Sequence, residues 1–347
     1  MRNITEHIND KSINQNGEKI LIFGATGNVG SYLTLYAMDF FDKDQYEISV
    51  SGKRKTDFWS RYGLTYYSVD LTKEEDFEQL PTKSIYAVML LSAATPSYME
   101  DYNPRKYTDS ILIGATNALE YCRKTNADRI LFCQTVFDVS EYPKDHIIRP
   151  DDKPSFSYTG DHAEYVITKN CAIELMEHYH QQFGLKKFVF RLPTIYEYST
   201  NQYYYPNGVK TMRPLYQQIN RAIIGEPLTI WGDPSYAKDM LHVYDFSQML
   251  CKAAIADRDG GFYNIGTGVP VTLQEQCQAI IDVFSPEDNK SVIKYIDPDR
   301  VSGGGFLMDI SNAERELGYK PEYDVHRLFE DYKKEMQIDR FLELRGR

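Results

Sequence analysis

Cysteine is scarce in this 347-residue chain: Cys122, Cys133, Cys171, Cys251 and Cys277 are an odd number, scattered, with no C-x-x-C pair. That excludes a disulfide framework and a zinc site, and predicts free thiols. His178 and His180 do not supply a metal pair, because residues two apart on a helix face different sides. No metal is expected. Basic residues are outnumbered, 39 Lys and Arg against 50 Asp and Glu, for a net charge of −11. They form no stripe able to track a phosphate backbone, so nucleic acid is excluded as a partner. Long apolar runs are missing as well. Met1 to Gly17 is polar where a signal peptide needs an apolar segment, and no later run reaches transmembrane length. The expectation is a cytoplasmic protein with no membrane partner. Internal repeats and low-complexity segments are absent too.

What the chain does have is enough apolar content, 42%, for a large core in one domain or two modest lobes. Lys19 to Phe23 is a short apolar run stopped by glycine, which suits a buried parallel strand, and Tyr32 to Phe41 reads as the helix after it. Strand patterns follow at Tyr46 to Ser51, Leu64 to Val69, Ile85 to Leu91, Arg129 to Gln134 and Lys187 to Arg191, with helical stretches between most of them. This alternation predicts an α/β fold, a doubly wound parallel Rossmann sheet with a smaller mixed C-terminal substrate lobe. The expected organisation is a polar extension over 1–17, a dinucleotide-binding domain over 18–192 to which 239–265 returns, a substrate lobe from 193–238 and 266–338, and a tail over 339–347. Within the lobe, Tyr196 to Pro214 is a long aromatic loop region rich in Tyr, Asn, Pro and Gly. Helical stretches return at Leu215 to Ile224, Tyr244 to Ala256 and Leu273 to Val283.

Gly24-Ala25-Thr26-Gly27-Asn28-Val29-Gly30 lies directly after the first strand and directly before a helix. Glycines let the backbone approach a pyrophosphate, and a helix N-terminus offers free N–H groups and the positive end of a dipole. About twenty residues on, where an acidic residue would hold the ribose 2′-hydroxyl of NAD, the sequence has Gly52-Lys53-Arg54-Lys55. Lys53 and Arg54 can pair with a 2′-phosphate that a carboxylate would repel, which favours NADP over NAD.

Asp161-His162-Ala163-Glu164 has the form of a capping box, and apolar residues recur from Val166 to Gly184, a plausible stop. Tyr165 and Lys169 therefore share a face in the first turns of one helix. An ammonium there, together with the helix N-terminus, favours phenolate and would let the phenol act as acid or base near neutrality.

Further segments follow in a fixed order: VDLT around Asp70, LLSAA at Leu90 to Ala94, NPRKYTDSILIGATNALE from Asn103, YVITK, RLPTIY from Arg191, GEPLTIWGD from Gly225, KDMLHVYD from Lys238, FYNIGTG from Phe262 and DISNAERELGYKP from Asp309. With GATGNVG they make the chain resemble an extended short-chain dehydrogenase/reductase of the NAD-dependent epimerase/dehydratase family, whose members mostly act on nucleotide sugars. The resemblance runs from about Lys19 to about Asp324 and implies several roles. Tyr165 is the catalytic acid/base, and Lys169 binds the nicotinamide ribose and tunes the tyrosine. The cofactor contacts are Gly24, Thr26, Gly27, Asn28, Val29, Gly30, Asp70, Leu71 and Ala93. Thr194, Lys238 and Arg300 face a nucleoside-diphosphate sugar, the last two on its diphosphate. A homodimer is implied, paired through the Tyr165 helix and the helix from about Asn103 to Arg123.

The pattern breaks at the family's Ser/Thr, three residues before a Val-Tyr-Gly tripeptide. Here Val136-Phe137-Asp138 puts Cys133 in that place, with Thr135 as a substitute two residues on, and the sequence does not choose between them. Cys133-Gln134-Thr135 also lacks the carboxylates of the family's dehydratases, which disfavours dehydration. Ile111 and Thr194 each replace an asparagine frequent near the family's site. The expected reaction is hydride exchange with a sugar ring carbon, as 4-epimerisation or reduction of a 4-keto sugar. Reduction of a non-sugar carbonyl compound and a non-catalytic dinucleotide sensor are the alternatives.

Overall fold

The computed structural model describes residues 17–96, 101–297 and 305–345. Seven strands form the central sheet: β1 (Glu18–Phe23), β2 (Tyr46–Gly52), β3 (Thr65–Ser68), β4 (Ile85–Leu90), β5 (Arg129–Thr135), β6 (Lys186–Leu192) and β7 (Gly260–Asn264). All neighbours are parallel, and the spatial order is β7-β6-β5-β4-β1-β2-β3. Ile20 to Phe23 of β1 are fully buried, as a strand covered on both faces requires. The order reverses between β1 and β4, so their C-terminal ends open the crevice where such sheets bind ligands. There the Gly24 turn passes so close to Ser92 that a Cβ on Gly24 would lie 3.0 Å from the Ser92 nitrogen.

The principal helices are α1 (Asn28–Phe40), α2 (Gly114–Thr125), α3 (Ala163–Phe183), α4 (Pro214–Ile223), α5 (Val243–Ala254), α6 (Leu273–Phe284) and α7 (Val325–Ile338). One face of the sheet packs on α1 and α5 through Tyr32, Leu33, Met249 and Leu250. The other packs on α2 and α3 through Ala115, Leu119, Ala172 and Met176. A third cluster, with Ile219, Leu228, Ile280, Phe284 and Phe329, holds α4, α6 and α7 together. Short strand pairs stitch this part to the sheet's edge: Leu241–His242 runs parallel to Ile195–Tyr196, and Ala237–Lys238 antiparallel to Val271–Thr272.

A capping box forms at α6, where none was singled out from sequence, and does not form at α3, where one was expected. At α6, Thr272 accepts from the Glu275 N–H and Glu275 accepts from the Thr272 N–H, so the box is formed. At α3 the expected box is absent: the helix begins after His162 with no side-chain cap. Asp161 instead accepts from the Tyr107 hydroxyl at 3.0 Å, and Glu164 from the Thr108 hydroxyl at 2.8 Å. Both carboxylates are drawn sideways to a neighbouring segment that carries a π-helical turn, Thr108–Ile113. The Gly184 stop is as expected, in the left-handed region with φ +71°.

Candidate active site

At the phosphate end, Gly24 has φ +95°, a conformation only glycine adopts without strain, and the Gly27 N–H closes the turn on its carbonyl at 2.9 Å. A Cβ on Gly30 would sit 2.1 Å from the same carbonyl, so any side chain there would push α1 off the strand. No side chain caps α1, which leaves its first N–H groups, at Asn28 and Val29, for an anion. Thr26 fills the space beside Gly52, where a Cβ would come within 2.3 Å of its hydroxyl. These residues fit the pyrophosphate of a dinucleotide.

At the ribose end, Lys53 and Arg54 leave β2 in different directions. The Lys53 ammonium pairs with Asp70 at 2.8 Å. Burial works against the charged form of Asp70, but Lys53 and two hydrogen bonds from Thr72 overcome it and hold the carboxyl below the usual aspartate range. Arg54 donates to the Leu344 carbonyl near the C-terminus. Leu71 is buried and its carbonyl accepts from Asn117 at 2.8 Å, and Ala93 is half-buried just past β4. No carboxylate occupies the segment 52–55.

At the other end of the cleft, α3 lies against the end of β5. Lys169 is buried, and its ammonium donates to the Cys133 carbonyl at 2.7 Å, 4.3 Å from the Phe132 ring centroid and 5.9 Å from that of Tyr165. Burial pushes its pKa down to about 8, opposed by the Cys133 side chain. Tyr165 is crowded by the core layer around α2 and α3, with the Tyr107 ring 5.9 Å away. Burial raises its phenol above the ordinary value, the Cys133 thiol adds to this, and a hydrogen bond with Thr135 opposes it. The expected phenolate is therefore not the resting state. The Lys169 ammonium lies 5.9 Å from the centre of the Tyr165 ring, and burial outweighs what a neighbouring charge offers the phenolate.

Cys133 and Thr135 both stand at the end of β5, and of the two it is the Thr135 hydroxyl that counters the upward push on the Tyr165 phenol. The Thr135 hydroxyl also accepts from the Phe137 N–H at 3.3 Å, which leaves its own proton to give. Cys133 contributes its backbone carbonyl to Lys169, while burial pushes its thiol up to about 11 and keeps it neutral. Gln134 supports the strand end: its amide donates to Asn170 at 2.6 Å and its carbonyl accepts from the Thr135 N–H at 2.8 Å. Asn170 and Tyr107 were not singled out from sequence, because each acts through a partner distant along the chain.

Thr194 is exposed just after β6. Lys238 is brought to the same edge, its ammonium 5.6 Å from the Tyr196 ring centroid. The neighbouring Asp239 is buried, with its carboxyl raised to about 6, and fixes the Thr267-Gly268 turn by accepting from both N–H groups. Arg300 lies outside the described residues. Arg191 forms a buried fork on Asp138 that ties β6 to the turn after Thr135. Among the described residues, no three His, Cys, Asp or Glu side chains are grouped to hold a metal ion, and no helix is long and apolar enough to cross a membrane.

The glycine turn, the Tyr-Lys helix and the sheet order match what is known of one family, whose sequence profile, described as the NAD dependent epimerase/dehydratase family, covers residues 20–266. The chain belongs to this family. It is an enzyme of the extended short-chain dehydrogenase/reductase type. A dTDP-glucose 4,6-dehydratase of Haemophilus influenzae is 24% identical over 87% of this chain and 93% of its own length. Among solved structures, the Thermotoga maritima UDP-glucose 4-epimerase with UDP-glucose superposes with a TM-score of 0.72 at 20% identity, covering 92% of this chain and 99% of that one. The UDP-glucose 4-epimerase of Thermus thermophilus, in complex with NAD, gives 0.69 at 19% identity, covering 91% and 99%. These similarities establish the doubly wound fold.

Proposed function

We propose that this family member moves hydride between NADP and the C4 carbon of a nucleoside-diphosphate sugar, with Tyr165 exchanging the proton. Bound nicotinamide supplies the hydride chemistry; everything else falls to the chain. The observation that carries this reading is a phenol and an ammonium desolvated together on one helix face against the end of β5, where Lys169 donates to the Cys133 carbonyl. Thr135 orients the reacting oxygen, and Lys169, anchored on the Cys133 carbonyl, holds the ribose and stabilises the phenolate left after proton transfer. Thr194, Lys238 and Arg300 are proposed for the sugar nucleotide, with Lys238 on the diphosphate.

Reduction of a 4-keto sugar is the favoured direction. The resting phenol is protonated, so the site is loaded to deliver a proton to the oxygen that receives hydride at its carbon. Lys53 and Arg54, with no carboxylate in 52–55, support NADP, the usual donor for net reductions. Epimerisation at C4 is the second reading, favoured by the likeness to UDP-glucose 4-epimerases. We also propose a homodimer through α2 and α3, which with the turn before α2 expose Ile113, Ile167 and Phe183. The test is cofactor consumption: purified protein with NADPH should oxidise it on one of the UDP-, GDP-, CDP- or dTDP-4-keto sugars. Consumption on none of them, with C4 inversion of the matching sugar nucleotides instead, would replace reduction by epimerisation.

A further inference from the structure

Residues 341–344 pack beside the glycine turn and the end of β2. Phe341 is fully buried, its ring centroid 4.9 Å from that of Tyr32, 6.1 Å from Phe58 and 6.3 Å from Trp59. Trp59, also fully buried, donates its indole N–H to the Ala25 carbonyl at 3.1 Å, inside the glycine turn. Beyond this plug, Glu343 pairs with Arg61, Leu344 is buried, and the Leu344 carbonyl accepts from Arg54. From the other side, the Tyr66 hydroxyl donates to the carbonyls of Gly52 and Arg54, fixing the backbone that carries the two cations.

We propose that segment 339–345 is a selectivity element of the cofactor site, one that positions Arg54 for the ribose 2′-phosphate; this rests on the NADP reading above. A guanidinium has five N–H donors, and a neutral carbonyl takes one without neutralising the charge. The rest remain for an anion at the end of β2, the position from which such folds read the 2′ substituent. A free arginine carries ~2 kcal/mol of rotamer entropy, part of which is lost whenever a ligand orders it. Here the C-terminus has ordered it in advance, which is how preorganisation raises affinity. Lys53 adds its charge to the same end but shares it with Asp70, 2.8 Å away. The C-terminus thus acts on the 2′-phosphate without touching it.

The test measures binding of 2′,5′-ADP and 5′-AMP by calorimetry, on the full chain, a chain ending at Phe341, Arg54→Ala, and both changes together. The shortened chain keeps the aromatic plug but lacks the Leu344 carbonyl. The wild type should prefer 2′,5′-ADP, and shortening should lower that preference about tenfold, the size of one charge-assisted hydrogen bond. Arg54→Ala should lower it at least as much, and shortening should then add nothing. If the shortened chain does not fold, Glu343→Lys, which turns the ion pair with Arg61 into repulsion and so loosens the segment that carries the Leu344 carbonyl, should lower the same preference. A preference unchanged by these tail variants, or losses from shortening and Arg54→Ala that add in full, overturns the selectivity role and leaves the NADP reading standing. Equal wild-type affinity for the two nucleotides overturns both.

Discussion

At the hydride end of the cleft, Tyr165, Lys169 and Thr135 come from one strand and one helix packed against it, and desolvation dominates their chemistry. At the ribose end, Lys53 and Arg54 stand exposed on a loop, held by Asp70 and by Leu344 from the far end of the chain. The first end is tuned by burial, where the field of one neighbour counts for several kcal/mol. The second is tuned by geometry, since exposed ion pairs are worth about 0–1 kcal/mol and gain force only when ordered in place. Substitutions should therefore be severe and directed at turnover at the first, and milder and directed at cofactor choice at the second.

That contrast is broken or sharpened by four measurements. Tyr165→Phe should lower kcat by about 10³-fold with cofactor affinity nearly unchanged, the loss typical of a general acid; an unchanged kcat would move the chemistry elsewhere and revive a sensor. Thr135→Val should cost roughly 10²-fold in kcat, whereas Cys133→Ala should stay within about threefold, if the Thr135 hydroxyl and not the weakly donating thiol orients the reacting oxygen as proposed. The reverse order would restore Cys133 to the family's serine position.

Lys169 makes a prediction in pH. Its folded value of about 8 lies below the unfolded 10.5, so between them the unfolded chain binds the extra proton. The penalty is fully present below pH 8, and stability rises with pH from about 8, by up to ~3 kcal/mol towards 10.5. Above about pH 10 the raised Tyr165 phenol acts in the opposite sense, since the unfolded tyrosine releases its proton first. Denaturation midpoints across pH 7 to 9 should show the start of the rise, before the buried thiols, all raised from their ordinary value, act in the opposite sense, and Lys169→Met should flatten it. The smallest effect separates the two capping patterns: Thr272→Ala should cost about 1 kcal/mol by losing a formed cap. Asp161→Asn should leave α3 intact and weaken its contact with Tyr107, visible as a shift of less than about 1 kcal/mol.

Sequence reading recovered the sheet where residues act locally. Continuous apolar runs mark β1, β4 and β5, the first of them closed by glycine, and the ends of β1 and β5 carry the glycine turn and the Cys133 to Thr135 segment. β7 escaped as a strand because it is five residues long and begins with Gly260 and Gly261, both at positive φ, so its strand character comes from pairing with β6. The α3 cap failed because Asp161 and Glu164 found better partners in Tyr107 and Thr108 than in their own backbone. The phenolate expectation failed for a related reason: spacing reveals a neighbouring charge but not the desolvation opposing it. Residues 339–347 carry no motif, and only packing shows that Phe341 and Leu344 belong to the cofactor end.

Hydride transfer at a ring carbon is tested most directly by isotope. With NADPH deuterated at the transferable C4 position of the nicotinamide and a 4-keto nucleotide sugar, the product should carry one deuterium at sugar C4, and Tyr165→Phe should form almost none of it. A product without label, or with label at another carbon, would contradict the account.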